Sequence, residues 1–127
     1  MALPLIVLDT TVLIDLLRGH EPARDFLLGL ERTLCCSEVT RAEILQGIRS
    51  NEREAAESAF RAVSWIAVDE SIARRAGALG RRWRRSHGRL GLADLVIAAT
   101  AHELGAELAT SNIRHYPMFP DLCPPYD

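Results

Sequence analysis

Residues 3–17, LPLIVLDTTVLIDLL, change their apolar period once, and that change constrains the fold more than any other feature of the chain. Leu3 to Leu8, a branched aliphatic run interrupted only by Pro4, reads as a strand buried on both faces, the pattern of a parallel sheet. From Val12 onward the spacing Val12, Leu13, Leu16, Leu17 is helical. Asp9 therefore stands at the carboxyl end of a buried strand, where open α/β sheets gather their ligands. Asp9 also suits an ordinary helix N-cap, worth about 1 kcal/mol, and on this stretch alone both readings stay open.

The same alternation recurs along the chain. Gly19 and Pro22 break the first helix, after which residues 21–31 carry Ala23, Phe26, Leu27 and Leu30 at helical spacing. Residues 34–36, extending toward Val39, read as a second strand, residues 38–49 as a helix, and residues 51–62 as a polar helix with a thin stripe at Ala55, Ala59 and Val63. Residues 64–68 read as a third strand and 69–85 as a long helix with Ile72, Ala76, Leu79 and Trp83 on one side. Residues 90–104 form a buried helix closed by Gly105, and residues 106–110 a fourth strand, before a tail broken by Pro117, Pro120, Pro124 and Pro125. Strands separated by helices predict the α/β class, an α/β/α sandwich on a short parallel sheet of about four strands. A length of 127 residues suits one domain, residues 1–127. No run approaches the ~20 apolar residues of a membrane span, and the N-terminus lacks the basic flank of a secretory signal, so a cytoplasmic protein without membrane contact is expected. Cys35, Cys36 and Cys123 give neither a disulfide framework nor a zinc spacing.

The net charge of −2 hides an uneven distribution, because all 15 basic residues are arginines and seven of them lie between residues 74 and 89. Arg74, Arg75, Arg81, Arg82, Arg84, Arg85 and Arg89 make either a solvated helix face or a phosphate-tracking surface, with Arg81, Arg82, Arg84 and Arg85 the candidates for a nucleic-acid backbone.

Two further carboxylates share the setting of Asp9. Glu43 opens the helix after the second strand, where Thr40-Arg41-Ala42-Glu43 also matches a capping box. Asp94 stands in residues 90–101, a run with no other ionisable residue, and an unpaired carboxylate buried there costs several kcal/mol. A helix-start interaction of ~0.3–1 kcal/mol is too small to compensate. Either a buried cation such as arginine or a set of backbone donors is needed. Together the three acids suggest a hard divalent cation held by oxygen ligands, Mg²⁺ or Mn²⁺, and the lack of a His or Cys partner argues against zinc.

The segments LDTTVLID, TRAEIL, LGLADLVIAATA and AELATSNIRHY, in this order, closely resemble the PIN-domain nucleases, specifically the VapC-type toxins of bacterial toxin–antitoxin pairs. The resemblance covers essentially the whole chain and implies a PIN-like fold and a metal-dependent endoribonuclease. It implies Asp9, Glu43 and Asp94 as catalytic residues and metal ligands, with Thr11 supporting Asp9. The fourth acid of the family pattern is missing: Asn112 and His115 occupy its places, and Asp121 substitutes only if the tail folds back. Asn112 is then expected to position a water or a phosphate, and His115 to contact phosphate. The resemblance also implies a homodimer and a cognate VapB-type antitoxin lying in an apolar groove near the first helices, for which Leu13, Leu16, Leu17, Phe26 and Leu27 are available. The alternative is a catalytically weak PIN-like module that binds RNA or a partner through a degenerate metal site.

Overall fold

The computed structural model describes residues 2–88 and 90–127. Arg89, one of the arginine run, lies outside the described residues. Four parallel strands, β1 (Leu5–Leu8), β2 (Thr33–Ser37), β3 (Ser64–Ile66) and β4 (Glu107–Ala109), form one sheet of order β3-β2-β1-β4 among the described residues. The chain moves outward from β1 through β2 to β3, then returns to place β4 on the other side of β1. The order reverses between β1 and β4, and that reversal is where such sheets open a crevice at their carboxyl ends.

Helices fill each crossover: α1 (Thr10–Leu17) and α2 (Glu21–Leu28), then α3 (Glu38–Gly47) and α4 (Arg53–Arg61), then α5 (Glu70–Trp83) and α6 (Leu92–Leu104). Alternate strand residues serve opposite layers. Ile6, Leu8 and Cys36 pack with Val12, Leu13, Ile44 and Phe60 on one face, while Val7 and Cys35 pack with Ile97, Ala98 and Tyr116 on the other. The adjacent cysteines thus act as small hydrophobes, one for each layer of an α/β/α sandwich. Helix α6 is covered on its outer side by α5, and Gly80 permits the close approach, since a Cβ there would meet Leu95 Cδ1 at 3.1 Å. Gly105 ends α6 at φ +60°, a left-handed C-cap that a side chain would strain.

Two local expectations are corrected. Helix α3 is capped by Ser37, whose hydroxyl accepts from the Val39 N–H at 3.2 Å, so Thr40 lies inside the helix and the Thr40–Glu43 capping box does not form. A 3₁₀ turn at Ser50–Glu52 precedes α4 and shifts its phase, so Ala56, Ala59 and Phe60 face the core while Ala55 is exposed.

Candidate active site

Asp9 is the residue that follows β1 and precedes α1. Its backbone N–H donates to the Ala109 carbonyl at 2.9 Å, continuing the β1–β4 ladder, and its own carbonyl accepts from Val12 and Leu13. Its carboxylate makes no cap bond to α1. Instead Oδ2 accepts from the Thr110 hydroxyl and, at 3.3 Å, from Thr11 Oγ1. Thr110 accepts the Asn112 N–H at 2.9 Å and Thr11 accepts the Ser111 hydroxyl at 3.2 Å, so both threonine protons are directed at Asp9. A carboxylate only 3% exposed is thereby held by charge-assisted bonds from two strand ends.

Glu43 projects from α3 toward α1, not back to its own helix start. Thr10 Oγ1 donates to Glu43 Oε1 at 2.5 Å, and Thr40 Oγ1 lies 3.0 Å from Thr10 Oγ1. Thr10 has one hydroxyl proton and gives it to Glu43, which makes Thr40 the donor to Thr10. Both threonines are buried while Glu43 is exposed, so a buried hydroxyl chain anchors a solvent-facing carboxylate.

Asp94 occupies the first turn of α6. Its Oδ2 accepts from the Gly91 N–H at 3.4 Å and lies 3.1 Å from His115 Nδ1, and its Oδ1 accepts from the Tyr116 hydroxyl at 3.4 Å. The expected compensation of Asp94 is therefore an imidazole, a phenol and one long backbone bond; among the described residues no guanidinium pairs with it. Burial pushes the Asp94 carboxyl above its usual range, the His115 charge opposes this, and the charge of Asp9 adds to it. Tyr116 is fully buried, and its phenol is raised by burial first, then by the charges of Asp9 and Asp94, its bond to Asp94 and the charge of Glu43. The phenol contacts Asp94 alone of the three acids, which are carried by the residue after β1, the middle of α3 and the first turn of α6.

Among the described residues no three His, Cys, Asp or Glu side chains are already drawn together tightly enough to enclose an ion. The all-oxygen donor set and an Asp94 carboxyl disfavoured by its neighbour Asp9 fit a hard divalent cation.

The candidates for the fourth position separate in space. His115 touches Asp94 directly. Asn112 precedes the 3₁₀ turn Ile113–His115 and lines, with Ser111 and His115, a cavity of about 310 Å³. Asp121 is carried to the opposite end of β4, where it lines a cavity with Glu107 and Leu108. Thr10, Thr40, Thr110, Ser111 and Tyr116 escaped the sequence reading, although paired hydroxyls after β1 and at the end of β4 were a visible sign.

The arginines divide as well. Arg74 pairs with Glu70 and Arg75 with Glu103, each at 2.7 Å, so these two serve α5 and its contact with α6. Arg81, Arg82, Arg84 and Arg85 are exposed, with the Arg82 guanidinium 5.1 Å from the Trp83 ring centre. Of the residues expected in an apolar groove, Leu13 and Leu27 are core and Phe26 is covered by Tyr126. Leu16 and Leu17 line a shallow depression with Ala55, Ala59 and Ala62 of the α4 side.

The PIN domain family model matches residues 6–118. The chain is 48% identical over 123 residues to Ribonuclease VapC19 of Mycobacterium tuberculosis, covering 94% of this chain and 98% of that protein. It is 44% identical over 124 residues to Ribonuclease VapC10 of the same organism, covering 96% and 93%. Among solved structures, a toxin–antitoxin complex from Klebsiella pneumoniae superposes with a TM-score of 0.79 at 28% identity, over 96% of this chain and 98% of that one.

Proposed function

This chain belongs to the PIN-domain family, within its VapC type, and from that premise we propose that it is a Mg²⁺- or Mn²⁺-dependent endoribonuclease acting as the toxin of a toxin–antitoxin pair. The observation that carries the proposal is the hydroxyl framework after β1 and β4, in which Thr11 and Thr110 hold Asp9 and Thr10 holds Glu43, while His115 and Tyr116 of the turn after β4 hold Asp94. Asp9 and Asp94 hold the cation. Glu43, anchored through one oxygen by Thr10, orients the attacking water with the other or completes the ligand set. What a bound cation supplies is a water of lowered pKa and polarisation of a phosphoryl oxygen, the two needs of phosphodiester hydrolysis. Thr110 and Thr11 keep the Asp9 carboxylate oriented. Asn112 offers a neutral oxygen to water or phosphate, so the site carries three formal charges from Asp9, Glu43 and Asp94. Arg81, Arg82, Arg84 and Arg85 follow the RNA backbone.

Residues 1–127 act as one nuclease domain in the cytoplasm. A VapB-type antitoxin lies over the depression at Leu16, Leu17, Ala59 and Ala62, and the toxin is a homodimer; copurification with a coexpressed antitoxin and the mass of the purified toxin in solution test these two statements.

The purified protein is expected to cut an RNA pool when Mg²⁺ or Mn²⁺ is added, and Asp9→Asn and Asp94→Asn to abolish cutting. A wild-type protein that cuts no RNA with either ion overturns the nuclease proposal. The amide at Asn112, where the family pattern has an acid, favours a second reading, a binding module with a degenerate metal site. Such a module gains no thermal stability from Mn²⁺, whereas a working site does.

A further inference from the structure

Beside the acidic cleft a cavity of about 520 Å³ opens between the segment that follows α5 and the turn that follows β4, lined by His87, Leu90, Ile113, Arg114, His115 and Pro117. His115 belongs to both places, because its Nδ1 also lies 3.1 Å from Asp94 Oδ2. The cavity therefore begins one side chain away from a carboxylate of the proposed cation site. Leu90 is buried at its base, next to Ile113 and Pro117, which gives an apolar surface for a flat ring. Arg114 at its margin is exposed and has no carboxylate partner among the described residues.

His87 is the informative side chain. It is exposed, yet its ring stands edge-on to Trp83 at 5.7 Å and 65°, and its Nδ1 lies 2.8 Å from Ser86 Oγ. Ser86 Oγ also lies 3.2 Å from the Trp83 carbonyl, so Nδ1 is engaged by Ser86 and Nε2 is the ring nitrogen left without a hydrogen-bond partner among the described residues. A surface imidazole oriented by two neighbours loses little freedom when a planar ligand settles against it. The volume lies in the range of small-ligand sites, roughly 300–1,000 Å³.

We propose that this cavity seats one unstacked nucleobase of the RNA strand, adjoining the phosphate bound at the cation site of which Asp94 is part. Leu90, Ile113 and Pro117 contact the ring, His87 Nε2 hydrogen-bonds the base edge, and Arg114 takes a flanking phosphate. The arrangement makes single-stranded RNA, whose bases are free to leave the stack, the substrate class. It rests on the nuclease proposal for the position of the phosphate, but binding alone tests it.

Fluorescence anisotropy in EDTA measures the affinity of the full chain for labelled single-stranded RNA decamers, intact or with one abasic nucleotide moved along the strand. For the wild type, one abasic position is expected to weaken binding roughly tenfold. His87→Ala and the cavity-filling Ile113→Trp are each expected to weaken intact RNA by roughly the same factor and to lose the sensitivity to that position. Circular dichroism checks the fold of both, and His87→Ala, on an exposed side chain, carries the comparison if Ile113→Trp does not fold. Folded variants that bind like the wild type, with its abasic sensitivity intact, overturn the base site. They leave the nuclease proposal standing, which Mn²⁺-dependent cleavage by the same preparations reads separately. A wild type that binds none of the decamers overturns the base site as well.

Discussion

Thr10 Oγ1 gives its proton to Glu43 Oε1 at 2.5 Å across 33 positions of sequence, and the donor behind it is the fully buried Thr40. A carboxylate at the solvent edge is thus positioned from inside the protein. Thr10→Val removes the anchor and leaves the Thr40 hydroxyl without its acceptor. The expected cost is about 1–3 kcal/mol of stability in a denaturant titration, with cleavage lowered roughly 10–100-fold. Thr10→Ser, which keeps the hydroxyl, should restore most of the activity.

Asp94 should weaken the metal-free fold at neutral pH. Its folded pKa is raised, chiefly by burial, so its contribution is fully present below the unfolded value and is lost as pH rises through the folded one. Asp94→Asn keeps position 94 neutral at every pH. In EDTA the variant should melt higher than the wild type at pH 7, with the difference gone near pH 4, and it should cut no RNA.

Cation binding should reverse that penalty. Mn²⁺ at a hundredfold excess over its Kd stabilises a one-site protein by about 2.7 kcal/mol. Calorimetry should show the wild-type Tm rising by several degrees with Mn²⁺ and the Asp9→Asn Tm staying flat.

A separate pH dependence comes from His102, which stacks on Phe119 with ring centres 4.6 Å apart. Burial first, and then the Arg75 charge, lowers its pKa. The unfolded chain therefore binds more protons just below the ordinary histidine value of about 6.5, and stability falls as pH drops through that value and below. His102→Gln should flatten the stability curve between pH 7 and pH 5, measured by urea unfolding at each pH.

Much of the fold was legible because apolar period alone separates strand from helix in Leu3–Leu17, and because Asp94 is costly wherever residues 90–101 are buried. The layer architecture and strand direction follow from that kind of signal. The hydroxyl framework was not legible. Thr110 meets Asp9 across 101 positions, and no local pattern predicts a pairing made only after the sheet reverses its order between β1 and β4. Local patterns also misled where a competitor was stronger. Ser37 takes the cap that Thr40 matched, and the 3₁₀ turn before α4 rotates its apolar stripe by one residue. His115 was legible as a residue of interest but not as the partner of Asp94, since the turn that delivers it is set by the end of β4.

The Asp9 N–H is a rung of the β1–β4 ladder, and its carboxylate waits on Thr110 from the far end of the chain. A ribosome that has released only the first hundred residues has therefore made Asp9, Glu43 and Asp94 without the strand that aligns the first of them or the phenol that bonds the last. Assembly of the three-acid arrangement is postponed until residue 116 has emerged, so a nascent chain carries the acids without their alignment.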